Sequence, residues 1–183
     1  VVKFFTKHIG DIEGKLEFEN LFGSKRYSVE VKGFSEFPQI STLPKNLYFV
    51  TKNRRPAALP DSLLSKVYVL SENVFDFGPL LIGKNPENRH KPELVSVNSA
   101  KFRISNHGKY PANIAFALMS QVMENNPEYV KNIYFFEPEK MEIGVNDIPK
   151  ELRVWCIPSE AKKYRDDVIV MIQNNPTPVI IPL

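Results

Sequence analysis

Cysteine is the scarcest informative residue in this chain: Cys156 stands alone. One thiol cannot close an internal disulfide, whereas secreted sandwich domains of this size ordinarily carry one. Glycosylation acceptors are missing too, because the single candidate, Asn175-Pro-Thr, is barred by its proline. There is no signal-peptide pattern and no apolar run long enough to span a bilayer. Charge of one sign is not in excess: 24 Lys and Arg stand against 21 Asp and Glu, a net +3, which does not favour a general nucleic-acid binder. The three histidines have no zinc-like spacing with Cys156, so no metal or cofactor is expected. An apolar fraction of 43% with 25% charged residues supports a real core and argues against disorder. The chain opens on Val1-Val-Lys-Phe4, which reads as the middle of a strand. The expectation is an intracellular piece of a longer protein, with no membrane and no nucleic acid among its partners.

What the sequence does contain is a strand pattern that occurs twice. Near the N-terminus, Ile12-Glu-Gly-Lys-Leu16-Glu-Phe18 and Tyr27-Ser-Val29-Glu-Val31 alternate apolar and polar residues around a turn at Gly23-Ser-Lys. At the C-terminus, Val168-Ile-Val170-Met-Ile172 and Val179-Ile-Ile181 do the same around Asn174-Asn-Pro-Thr-Pro178. Alternation with a period of two buries one face of a strand and wets the other. Further short strands are expected at Val67–Leu70, Val74–Phe77, Lys101–Ser105, Ile114–Leu118, Tyr134–Phe136, Met141–Ile143 and Leu152–Ile157, with Asn106-His-Gly108 as a strong turn. Such spacing argues for an all-β sandwich of the immunoglobulin-like type. Residues 120–131 read as a loop or one helical turn. Residues 1–36 hold strands only and read as the last strands of a preceding domain. Residues 37–65, with Pro38, Pro44, Pro56, Pro60 and the basic group Lys52-Asn-Arg54-Arg55, read as a proline-rich basic linker. Residues 66–183 read as one complete sandwich.

Candidate chemistry is thin. Gly78-Pro-Leu-Leu-Ile-Gly83-Lys84-Asn85 falls one residue type short of the phosphate-binding loop G-x-x-x-x-G-K-[ST]. Its interior is bulky, Asn85 replaces the metal-binding hydroxyl, and Pro86 and Pro92 discourage a following helix. An opening strand bounded by glycines explains it better. His107 and Cys156 could pair as base and nucleophile, but His107 sits in a turn, and a small thiol on an alternating strand is more simply a core residue. Asp166 and Asp167 are adjacent, which suits a turn better than paired acid–base work. Trp155 reads as core or domain-junction packing. The basic residues Lys52, Arg54, Arg55, Lys162, Lys163 and Arg165 are the candidates for meeting an acidic partner, microtubule surface included, although short basic runs are usually solvated faces.

Three stretches together resemble a known family. Phe75-Asp-Phe77-Gly78-Pro-Leu-Leu-Ile-Gly83-Lys84 is similar to the opening strand of hydin-type repeats. Phe102-Arg-Ile-Ser-Asn106-His-Gly108-Lys-Tyr-Pro111 resembles the strand and Asn/Gly turn of ASPM–SPD-2–Hydin (ASH) domains. Phe136-Glu-Pro138 through Ile143, Leu152 through Pro158 and Tyr164 through Leu183 resemble the closing half of that domain. The resemblance implies an immunoglobulin-like fold related to the major sperm protein domain. It also implies a non-enzymatic, arrayed protein of the motile-cilium axoneme, at the central pair apparatus. Implied partners are central-apparatus proteins, tubulin or microtubules, and neighbouring immunoglobulin-like repeats of the same chain. The alternative is a peptide-binding adaptor module like the major sperm protein domain, gripping short acidic and aromatic motifs.

Overall fold

The computed structural model describes residues 3, 5–54, 66–123 and 130–183. It divides into two compact units, Val1–Phe37 and Pro38–Leu183.

The first unit is a β-hairpin. Strands β1 (Gly10–Glu19) and β2 (Arg26–Ser35) pair antiparallel, with Leu16 opposite Val29 and Phe18 opposite Tyr27. Because side chains alternate, Ile12, Leu16, Phe18, Tyr27, Val29 and Val31 share one face, and Glu13, Lys15, Glu17, Glu19, Arg26 and Lys32 share the other. The charged face is laced by ion pairs: Lys32 to Glu13 at 2.9 Å, Lys15 to Glu17 at 3.1 Å and Arg26 to Glu19 at 3.3 Å. Phe18, Tyr27 and Val29 remain exposed. The opening residues Val1, Val2 and Phe4 lie outside the described residues.

The second unit is an all-β, immunoglobulin-like sandwich. One layer orders β6 (Ser99–Ile104), β10 (Lys150–Cys156) and β8 (Tyr134–Glu137). The other orders β12 (Val179–Pro182), β11 (Asp167–Ile172), β7 (Ala112–Leu118) and β9 (Lys140–Ile143). Alternate residues of both layers meet in one core: Ala100, Phe102 and Ile104 from β6, Leu152, Val154 and Cys156 from β10, and Ile114, Phe116, Val168 and Val170 from β7 and β11. A smaller sheet joins them, with β3 (Thr51–Lys52) parallel to β4 (Val67–Val69), and β4 antiparallel to β5 (Val74–Asp76). The opposite face of β10 carries Trp155, which packs with Leu94, Ile157, Leu81 and Phe135 in a second small core, its indole N–H donating to the Arg89 carbonyl at 3.0 Å.

The expected linker 37–65 is corrected over residues 38–52, while 55–65 lie outside the described residues. Residues 38–52 are part of the sandwich: Ile40, Leu47 and Tyr48 are buried in its main core. The Ser41 amide donates to the Ser105 carbonyl at 2.8 Å, and Tyr48 forms a β-bridge with Phe102, so this stretch covers the free edge of β6. Arg103 fastens it by donating to the carbonyls of Lys45 at 2.7 Å and Tyr48 at 2.9 Å. The Tyr48 ring stacks on Tyr68 at 4.0 Å and meets Phe102 edge-on at 5.3 Å. Proline did not enforce a connector because Pro44 opens the short helix α1 (Pro44–Leu47), where a missing N–H costs nothing. The same rule overturns the expectation that Pro86 and Pro92 oppose helix: Pro86 begins a 3₁₀ turn and Pro92 begins α2 (Pro92–Val97). Within 120–131, Ser120–Val122 belong to the helical turn α3 (Met119–Val122), and 124–129 lie outside the described residues.

Candidate functional site

The Gly78–Lys84 segment is built into the fold through its own amides. The Gly78 N–H donates to Asp76 Oδ1 at 2.8 Å, the Leu81 N–H to Asn98 Oδ1 at 3.2 Å, and the Gly83 N–H to the Pro158 carbonyl at 3.0 Å. A phosphate-binding loop needs such amides free and converging on the anion. Lys84 is turned to Glu93 at 3.3 Å. Asn98 is the organiser here: fully buried, it also donates to the carbonyls of Leu81 at 2.9 Å and Cys156 at 2.8 Å, tying the loop to β10.

His107 and Cys156 stand at opposite ends of the β6–β10 ladder. Ile104, beside the turn of His107, pairs with Lys150, whereas Cys156 lies beyond Trp155, which pairs with Ser99. His107 is exposed and Cys156 buried, so His107 does not reach the thiol. Burial pushes the Cys156 thiol up to about 12, with a hydrogen bond from Tyr134 acting in the opposite sense. Asn106 explains the Asn-His-Gly turn: its Oδ1 accepts from the Gly108 N–H at 2.8 Å, and its Nδ2 donates to the Tyr110 carbonyl at 2.8 Å. A side chain on Gly108 would meet Gln39 at 3.0 Å, so glycine permits the close approach of that segment.

Asp166 is also buried, one oxygen accepting from the Ser120 amide at 3.1 Å and the Asp167 amide at 2.8 Å, the other without a hydrogen bond among the described residues. Burial raises its pKa above the ordinary carboxylate range. It closes the corner between α3 and β11, as a turn carboxylate does. Among the described residues, no cluster of three or more His, Cys, Asp or Glu could hold a metal ion. No helix among them is long and apolar enough to cross a membrane.

The basic candidates are divided. Lys52 on β3 and Arg54 after it are exposed, and Arg55 lies outside the described residues. Lys162, Lys163 and Arg165 are exposed on the loop between β10 and β11. Lys162 is held by Glu160 at 3.2 Å and sits over the Tyr164 ring at 5.3 Å. Lys162 and Lys163 line a groove of about 700 Å³ whose other wall is β5 and the residue after it, Val74 through Phe77. Leu80, Ile82, Tyr134, Cys156, Tyr164 and Leu183 form its apolar lining. The groove is assembled from residues 72 to 183, and sequence reading found only its two lysines. The signal that could have found it was the doublet Phe75-x-Phe77, whose aromatic rings fill the core and leave the strand's main chain on an edge.

No protein-family model matches the chain. It is 27% identical over 182 residues to the human hydrocephalus-inducing protein homolog, and 26% identical over 182 residues to the mouse hydrocephalus-inducing protein. Both alignments take in 100% of this chain and 3% of the relative, so the chain spans a small part of those proteins. The resemblance to hydin read from the residues is thus borne out, and the alignments take in the hairpin as well as the sandwich.

Proposed function

We propose that this chain is a non-enzymatic scaffold segment of a motile-cilium axonemal protein, at the central pair apparatus, spacing and docking partner proteins along microtubules. The observation that carries the reading is the similarity to hydrocephalus-inducing proteins, whose alignments take in both units. Residues 1–36 are then the closing strands of a preceding immunoglobulin-like unit, whose other sheet covers the apolar face of the β1–β2 hairpin. A two-stranded hairpin with one apolar face is too small to stand alone, and a facing layer removes that deficit. The sandwich supplies stiffness because its two layers share one close-packed core. Pro38–Lys52, packed into the sandwich, adds to that core. Neighbouring repeats, central-apparatus proteins and tubulin are the proposed contacts.

Cross-linking mass spectrometry on isolated axonemes tests this. Links from Lys84, Lys109, Lys162 or Lys52 to tubulin or central-apparatus proteins are expected. Absence of the chain from axonemes would remove the reading.

A further inference from the structure

Edge strands are where a sheet offers unpaired main chain to another polypeptide, and folded proteins usually block them. The edges of the two main sandwich layers are blocked. The Ser41–Tyr48 stretch covers β6. Lys150 caps β9 by donating to the Glu142 carbonyl. Pro178 precedes β12 and Pro182 ends it. The end of β8 is occupied by Glu137, held by Arg89 at 2.9 Å and followed by Pro138. Strand β5 is different. The Tyr68 amide of β4 donates to the Val50 carbonyl on the β3 side, so Tyr68 and its opposite residue Phe75 form a non-hydrogen-bonded pair. The N–H and C=O of Phe75 therefore point away from β4, and Phe77, the residue just past the end of β5, is placed to continue that side when a partner extends the strand. Val74, Phe75, Asp76 and Phe77 all line the 700 Å³ groove.

We propose that β5 is a strand-addition edge, along which an extended segment of a partner protein docks by hydrogen-bonding to the main chain of Phe75 and Phe77. The lining fixes the chemistry of that segment. Residues of an added strand opposite Phe75 and Phe77 point to the same side as those rings, toward Tyr134 and Leu183, so they are apolar and alternate. The residues between them face the rim. There Lys163 has no carboxylate within ion-pair distance among the described residues, while Asp76 already accepts from Gly78 and Lys162 is taken by Glu160. A carboxylate between two apolar residues therefore complements Lys163. Main-chain bonding gives such a site its affinity, and the alternate pockets give it selectivity. The inference rests on the docking half of the function proposed above and not on its ciliary half, so it is tested on the isolated chain.

The test is amide exchange by NMR on the ¹⁵N-labelled 183-residue chain, with a synthetic peptide of the β1 sequence, Gly-Asp-Ile-Glu-Gly-Lys-Leu-Glu-Phe-Glu, as an alternating apolar and acidic probe. Millimolar peptide should slow exchange at Phe75 and Phe77 by about tenfold or more, with shifts confined to 72–83, 133–135 and 156–164. Two derivatives, N-methylated on either set of alternate amides, should behave differently, one losing binding and the other keeping it, because an added strand uses only one set. Lys163→Glu, an exposed loop change that leaves the core intact, should weaken binding about tenfold. The proposal is overturned if the parent peptide protects neither amide, or if both methylated peptides bind like the parent, which is side-chain docking without strand addition. Concentration-dependent protection without peptide would make a second copy the occupant and overturn the choice of a partner segment.

Discussion

Single residues decide which parts of this sandwich are held together. Asn98 makes three side-chain hydrogen bonds from a fully buried position, to both main-chain groups of Leu81 and to the Cys156 carbonyl. Asn98→Ala would strand those groups, and buried polar groups without partners are costly. Urea unfolding should show a loss of roughly 3 kcal/mol with an unchanged m-value. Asp166 gives a pH signature. Burial raises its folded-state pKa above the unfolded value, so over that window the folded state holds the proton more tightly. Stability from this group is therefore full in acid and falls as pH rises through the raised value. Over that window the stability of Asp166→Asn relative to the parent chain should increase with pH, measured by denaturation midpoints. A flat difference would mean that the unpartnered oxygen is solvated.

At the scale of elements, the Pro38–Lys52 stretch shows how local rules and tertiary packing part company. Its prolines favour a connector, but Ile40, Leu47 and Tyr48 fill the main core and close the edge of β6. A chain beginning at residue 66 should thus be less stable than one beginning at residue 38, by roughly 2 kcal/mol for each of these side chains. Comparing the two truncations by chemical denaturation checks this, and equal midpoints would show that the stretch contributes only contact without stability. The strands themselves were legible, because Lys101–Ile104, Ile114–Leu118 and Val168–Ile172 alternate cleanly and the Asn106-His-Gly108 turn has a side-chain mechanism. The short helices were not. None is long enough to show a period, and α1 and α2 are started by prolines that in isolation read as breakers.

Across the whole molecule, the two units differ in how much core they own. The sandwich buries a continuous apolar cluster, while the hairpin leaves Phe18, Tyr27 and Val29 exposed on its uncharged face. Local opening free energy follows buried contacts, so β1 and β2 amides in the isolated chain should exchange about 100-fold faster than those of β10 and β11. Equal protection would mean that the apolar face is already covered in the isolated chain.

The all-β class and most strand positions were written in the chain, because alternation and turn chemistry are local properties, and the likeness to hydin rested on particular stretches of residues. It also argued against the phosphate loop and the Cys–His pair on residue types alone. Packing in three dimensions settled that residues 38–52 belong to the sandwich, that Asn98 spends its side chain on Leu81 and Cys156, and that β5 faces a groove lined by Lys162 and Lys163. Those outcomes depend on which strand lies beside which. Pairing is set by the burial of faces distant in sequence, and no local pattern encodes it.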